Sequence, residues 1–242
     1  MMHKQTALVT GGSRGIGRAI CLELAKSGAH VAVNFRSNKT AAEETLGLIQ
    51  QAGGTGETVC FDVANQTETE RNIESLLTRH EAIDILVNNA GETADNLFAF
   101  MSLEEWMKVL NTSLQGFYHV TKPVLMKMVS RKHGCIVTIS SVSARLGQRG
   151  QTNYSAAKAG LEGACRSLAP EVARLGIRVN VVAPGLIQTE MIENVPKEII
   201  KQIIPMGRVG LPEEIAKVVR FLCSDDASYL TGQVIPVNGG MI

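Results

Sequence analysis

Tyr154 and Lys158 stand four residues apart, and Ser141 lies thirteen residues ahead of the tyrosine. On a helix, residues four apart share a face and touch. A phenol titrates near ~10, so lowering it by about 3 units takes roughly 4 kcal/mol of preference for the phenolate. An ammonium about 4 Å away, at an effective dielectric near 20, supplies energy of that order. Tyrosine beside a fixed cation is therefore an acid or base that works at neutral pH. Ser141 could add a hydroxyl beside the same oxygen and hold a substrate carbonyl. Taken alone, such a pair is more often a surface tyrosine with its i,i+4 lysine. The elements around it decide.

The chain opens on an apolar run, residues 6–10, followed by Gly11-Gly12-Ser13-Arg14-Gly15-Ile16-Gly17 and a helical pattern through Ile16, Ile20 and Leu24. This is strand, phosphate loop, helix. Gly11 permits the tight turn, Gly15 lets backbone approach a pyrophosphate, and Gly17 lets the helix lie close on the sheet. The second strand, residues 30–34, ends at Asn34, where an NAD-type site expects an acidic residue. Phe35, Arg36 and Ser37 follow. A carboxylate is missing and a guanidinium is supplied, which suits a 2′-phosphate; Arg14 approaches from the loop. The nucleotide predicted is NADP(H). A third strand over 57–61 closes on Asp62-Val63, whose carboxylate could take the adenine amino group. A fourth over 83–87 is nearly all apolar, as buried parallel strands are, and runs into Asn88-Asn89-Ala90-Gly91.

A long helix is expected from about Leu103 to Ser130, capped by Ser102 with Glu105 three residues on. Residues 134–140 form a fifth strand that delivers Ser141. Tyr154 and Lys158 fall on a helix from Thr152 to about Leu175, with Pro170 set to kink or break it. A sixth strand spans 177–182, then Pro184-Gly185. Residues 189–206 have the place of a substrate lid. A helix from Pro212 to about Ser224 and a strand over 233–237 finish the chain. Strands alternate with helices, so the predicted fold is α/β: one doubly wound parallel sheet, Rossmann-type, of about seven strands with helices on both faces.

At 242 residues the length fits one domain with a sizeable core better than two small ones. Lys and Arg number 24 against 23 acidic residues, so no global charge draws the chain to nucleic acid or membrane. The five cysteines show no Cys-x-x-Cys metal spacing, and no metal is expected. Four of them sit among apolar neighbours, as small buried residues of a reducing compartment do. With neither signal peptide nor membrane span in the pattern, a cytoplasmic, soluble protein is expected.

Together, TGGSRGIG (residues 10–17), NNAG (88–91), Ser141, YSAAK (154–158) and Pro184-Gly185 resemble the short-chain dehydrogenase/reductase family. The resemblance covers essentially the whole chain. Within the family it is most similar to bacterial 3-oxoacyl-[acyl-carrier-protein] reductases, through NFRSN (34–38), MSLEEW (101–106) and TGQVIPVNGG (231–240). NTSLQGFY (111–118) is similar to a branch found with polyene-type fatty acid pathways.

The resemblance implies that Tyr154 donates a proton to the reduced carbonyl oxygen while Ser141 hydrogen-bonds it. Lys158 would lower the tyrosine pKa and bind the nicotinamide ribose. Asn89, Ala90, Gly91 and the stretch through Pro184, Gly185, Ile187 and Thr189 would line the cofactor. The substrate implied is a 3-oxoacyl chain on acyl carrier protein, with Arg131, Lys132 and Arg174 as docking residues and a homotetramer as the assembly. One position departs from the family pattern. The usual asparagine of the long helix, which feeds protons to the lysine through a helix irregularity and a water, is Ser113 here; Asn111 falls two residues early. Two residues is about 200° of helix, so Asn111 cannot replace it. The expectation is that Ser113 keeps the relay. A reductase of another ketone (acyl-CoA, sugar, steroid) shares the same chemistry, and a non-catalytic NADP(H)-binding regulator is the reading of another class.

Overall fold

The computed structural model describes residues 2, 5–189 and 197–242. Seven parallel strands form one sheet in the order β3-β2-β1-β4-β5-β6-β7. They are β1 (Thr6–Val9), β2 (His30–Phe35), β3 (Thr55–Cys60), β4 (Ile85–Asn88), β5 (Gly134–Ile139), β6 (Ile177–Pro184) and β7 (Val234–Val237). The chain runs outward from β1 to β3, then crosses back to lay β4 against the other side of β1. Connections leaving β1 and β4 therefore part in opposite directions, and a crevice opens at the carboxyl ends of those two strands. The glycine loop, Asn89-Ala90-Gly91 and Ser141 all leave strands at that edge.

The period-2 pattern of the strands divides the core into two layers. Ala7, Val9, Val31, Val33, Ile85 and Val87 face helices α1 (Gly15–Lys26) and α9 (Pro212–Cys223). Leu8, Ala32, Leu86 and Ile136 face α3 (Gln66–His80), α5 (Gly116–Arg131) and α7 (Thr152–Val172). The remaining helices are α2 (Lys39–Gln51), α4 (Leu103–Leu110), α6 (Ser143–Leu146) and α8 (Lys197–Ile203). Among the described residues no helix is long and apolar enough to cross a membrane. Four cysteines are buried and Cys60 is exposed, as their neighbours suggested.

Two helices differ from expectation. The long helix is interrupted: α4 passes into a π-helical turn at Asn111–Gln115 before α5 begins. The capping box that starts it is present, with Glu105 N–H donating to Ser102 Oγ at 3.1 Å and Ser102 N–H to Glu105 Oε2 at 2.7 Å. Pro170 lies inside α7, which continues through it to Val172 and then tightens into a 3₁₀ turn at Ala173–Leu175. Of the lid expected over 189–206, residues 190–196 lie outside the described residues, and α8 occupies the part after them.

Candidate active site

The crevice begins with backbone that side-chain-bearing residues rarely adopt. Gly11 and Gly15 have φ of 62° and 53°, the left-handed region. A side chain on Gly17 would put Cβ 2.1 Å from the Gly11 carbonyl oxygen, so α1 starts directly under its own loop. Two asparagines pin this loop from inside. Asn89 Nδ2 donates to the carbonyls of Thr10 (2.9 Å) and Gly11 (3.1 Å). Asn34 Oδ1 accepts from Gly11 N–H at 3.1 Å, while its Nδ2 donates to the Phe61 carbonyl at 3.0 Å. Asn34 was expected to touch the nucleotide. Its side chain is instead 2% exposed and spent on the protein, so it shapes the loop from behind. Ser13 contributes its carbonyl to the Arg18 guanidinium, and Ile16 packs on the core.

The other residues expected to line the nucleotide lie on segments that follow the carboxyl ends of the strands. Thr189 comes back to Gly15, where an added Cβ would meet Thr189 Cγ2 at 3.5 Å. Gly185 N–H donates to the Val237 carbonyl at the end of β6, and Ile187 is buried behind it. Asp62 caps its own turn through Ala64 N–H, and Val63 is buried against Gly116. Beside the loop lies a cleft of about 440 Å³ lined by Arg14, Gly15, Arg18, Asn38 and the start of α2. Arg36 and Ser37 are exposed just past β2. Glycine backbone, an open cleft and arginines around it fit a dinucleotide with a phosphate on its ribose.

Arg36 also has a partner that sequence reading missed. Glu92, directly after Gly91, sits 3.4 Å from Arg36 Nη1 and 3.4 Å from Lys108 Nζ, and accepts a short hydrogen bond from Thr112 Oγ1. One carboxylate thus links the loop after β2 to the π-helical turn. The available signal was an acidic residue immediately after Asn-Asn-Ala-Gly, at the mouth of the crevice.

The chemical end is drier. Ser141 leaves β5 with its Oγ accepting from Ser143 N–H at 3.2 Å, and its hydroxyl is near enough to the Tyr154 phenol to act on its pKa. Tyr154 sits in the first turn of α7, placed by Asn153. That buried amide donates to the carbonyls of Ala94 (2.9 Å) and Glu105 (3.2 Å) and accepts from Tyr154 N–H. Lys158 is 3% exposed; its ammonium donates to the Ile139 carbonyl at 2.9 Å and lies 5.5 Å from the centre of the Tyr154 ring. Gly91 is the opening beside it, since a Cβ there would lie 3.3 Å from Lys158 Nζ. The start of α7 is tied to β5 by Ser140 Oγ, within hydrogen-bond reach of the Lys158 carbonyl and of buried Glu162, itself near Arg145.

The electrostatics differ from expectation in one respect. In the protein alone the Tyr154 pKa is raised, not lowered. Burial dominates, the Ser141 hydroxyl opposes it, and the Asp95 carboxylate adds to it. Burial also pulls Lys158 down, to about 8. A dry environment penalises both charged forms, and the ammonium is turned to a carbonyl rather than to the phenol oxygen.

Ser113 occupies the middle of the π-helical turn, 2% exposed, with an Oγ that has no hydrogen-bond partner. Next to it is a cavity of about 10 Å³ bounded by Thr10, Asn88, Thr112, Ser113, Gly116 and Leu161, among others. That is room for about one water. The helix irregularity survives the serine, and the hydroxyl faces a place where a water would satisfy it.

The basic residues behind α5 are less free than their sequence suggested. Arg131 pairs with Asp84 at 3.0 Å. Lys132 closes α5 in a left-handed conformation, and the turn carrying Arg174 packs on its carbonyl through Gly176. The three are neighbours on one exposed surface.

Known proteins resemble the chain along its whole length. A family model described as enoyl-(acyl carrier protein) reductase matches residues 11–242. A 3-oxoacyl-[acyl-carrier-protein] reductase of Synechocystis is 46% identical over 239 residues, covering 98% of this chain and 97% of that protein. Proteins of the same description from Aggregatibacter actinomycetemcomitans and Pseudomonas aeruginosa are 46% and 45% identical over 98% and 99% of the chain, and cover 99% and 98% of their own lengths.

Proposed function

We propose that this chain, which belongs to the short-chain dehydrogenase/reductase family, is an NADPH-dependent reductase of 3-oxoacyl thioesters carried on acyl carrier protein. The observation that carries the reading is Lys158 buried 5.5 Å from the centre of the Tyr154 ring, with Ser141 acting on the phenol and Gly91 open beside the ammonium. The bound dinucleotide supplies the hydride for the 3-keto carbon. Tyr154 hands its proton to the carbonyl oxygen as negative charge develops there, so a phenol that burial keeps protonated starts in the right state. Ser141 holds the same oxygen and shares the charge. Lys158 contacts the ribose through the gap left by Gly91 and returns a proton to Tyr154. Ser113 and its one-water cavity sit at the π-helical turn, where a relay from solvent would pass.

Gly11, Gly15 and Gly17 cradle the pyrophosphate. Arg36, Ser37 and Arg14 take the 2′-phosphate, and Asp62 and Val63 flank the adenine. The acidic carrier docks on Arg131, Lys132 and Arg174, where Arg131 is half neutralised by Asp84 and the other two supply most of the field. A homotetramer built on the two long helices, α4–α5 and α7, and on β7 would cover Leu103 and Met126, large apolar side chains that stand exposed on the single chain.

The description of the matching family model favours a second reading, reduction of a 2-enoyl rather than a 3-oxoacyl thioester. One assay separates them: NADPH oxidation with 3-oxoacyl and 2-enoyl chains, each on carrier protein and on a minimal thioester, with NADH as control. The expected result is turnover of the 3-oxoacyl chain, faster on the carrier and with NADPH. Turnover of the enoyl chain alone would replace the proposal, and turnover of neither would send the search to other ketones.

A further inference from the structure

At the opposite edge of the sheet, away from the crevice, three side chains converge from distant parts of the sequence. His30 begins β2, Glu57 lies on the edge strand β3, and His80 ends α3. The two imidazoles face one another with centroids 4.7 Å apart and planes tilted by 33°. Glu57 lies between them, Oε1 in hydrogen-bond contact with His80 Nε2 and 3.7 Å from His30 Nε2. One nitrogen from each ring and one carboxylate oxygen fall within 4.8 Å of one another.

The second observation concerns His30 itself. Its Nδ1 is 3.1 Å from Thr55 Oγ1, the neighbour paired with it across the two strands. Its Nε2 is buried and has no hydrogen-bond partner. A metal would select the tautomer with the proton on Nδ1, facing Thr55 Oγ1, and the Nε2 lone pair directed toward Glu57 Oε1, 3.7 Å away. A cation there would give the unpartnered Nε2 a partner.

We propose that His30, Glu57 and His80 form a binding site for a divalent transition metal, zinc above all. Two imidazole nitrogens and one carboxylate oxygen are a common zinc set, with water completing the tetrahedron. The Thr55 contact supplies the outer partner that ligating histidines usually have. Arg79 holds the other carboxylate oxygen at 2.7 Å, which orients Glu57, leaves Oε1 to the metal and weakens binding by its positive charge. The His80–Glu57 hydrogen bond must open for both atoms to reach the ion. The ion clips β3, an edge strand, to β2 and α3, so its effect is on stability and not on turnover. Cysteine counting missed the site because its ligands are histidines and a glutamate on three separate elements.

The test uses the full-length chain carrying Cys60→Ser, which removes the one exposed thiol as a competing ligand. Zinc is titrated calorimetrically and the melting temperature is followed, for this parent and for His30→Gln and His80→Gln made in it. The expected result is one zinc per chain, a melting temperature that rises with zinc, unchanged NADPH oxidation, and loss of both binding and shift in each variant. Variants that melt like the parent without zinc would tie that loss to ligation. Absence of saturable binding in the parent, or the same binding in both variants, overturns the proposal. If one variant fails to fold, the other decides by the same criteria.

Discussion

The two ends of the crevice are built on opposite physical plans. At the carbonyl end, Lys158 and Asn153 are withdrawn from water, their polar atoms consumed by backbone carbonyls of β5 and neighbouring segments. Packing holds that geometry, and dryness sets its pKa values. At the nucleotide end, Arg36, Ser37 and Arg14 stand exposed, and Arg36 is balanced against Glu92 by charge. A preformed site and an adjustable one thus share a single cleft. Substitutions at the first should act on rate, and at the second on cofactor choice.

The strongest way to break that contrast is Tyr154→Phe, which deletes the proton donor and leaves the ring. NADPH oxidation is expected to fall about 100- to 10,000-fold, with NADPH binding, read by fluorescence, nearly unchanged. A comparable loss of binding would mean that the two ends are not separable.

Next in size is the electrostatic cost stored at Lys158. Its pKa falls from 10.5 to about 8 on folding, so between those values the unfolded chain binds more protons. Stability then rises with pH across that window and is insensitive to this group below it. At 1.36 kcal/mol per unit the difference is about 3 kcal/mol. Denaturant midpoints from pH 7 to 10.5 should show that rise in the parent relative to Lys158→Met. Parallel profiles would place water around the ammonium.

Smaller, and opposite in sign to each other, are two changes at the nucleotide end. Arg36→Ala should raise KM for NADPH about tenfold or more, the worth of a charge-assisted hydrogen bond. Glu92→Gln keeps the bond to Thr112 but removes a negative charge that competes for Arg36, so KM for NADPH should drop a few-fold, most at low ionic strength. KM for NADH should move in neither. An increase with Glu92→Gln would mean that Glu92 orients Arg36 rather than competing for it.

The smallest expected effect is at Ser113→Ala, about a two- to tenfold loss of kcat, the range of one net hydrogen bond, with an altered solvent isotope effect. Unchanged kinetics would move the relay to backbone or to other waters.

Much of this was legible in the sequence because it depends on local rules. Glycines between an apolar strand and an amphipathic helix, short strands alternating with helical stretches, and the four-residue step from Tyr154 to Lys158 each follow from near neighbours. What escaped depends on contacts distant in sequence. Asn34 read as a missing carboxylate, and only the fold shows that its amide belongs to Gly11 and Phe61. The π-helical turn, NTSLQ, has no local rule that marks it; only the resemblance to the family implied an irregularity at Ser113. Glu92 drew no attention until Arg36 and Thr112 closed around it. The lowered tyrosine pKa failed as an expectation because it counted the lysine charge and not the burial both residues share.

That π-helical turn also bears on insertions and deletions. Asn111–Gln115 carries more backbone per turn than the helices on either side. Removing one residue there would let α4 and α5 merge into a regular helix, every hydrogen bond intact. Because the wide turn takes up that one extra residue, the Ser102 cap and exposed Leu103 and Met107 would keep nearly their present faces. What would go is the bulge that sets the Ser113 hydroxyl, without a hydrogen-bond partner, beside its small cavity. In this stretch the count of residues matters more than which ones they are.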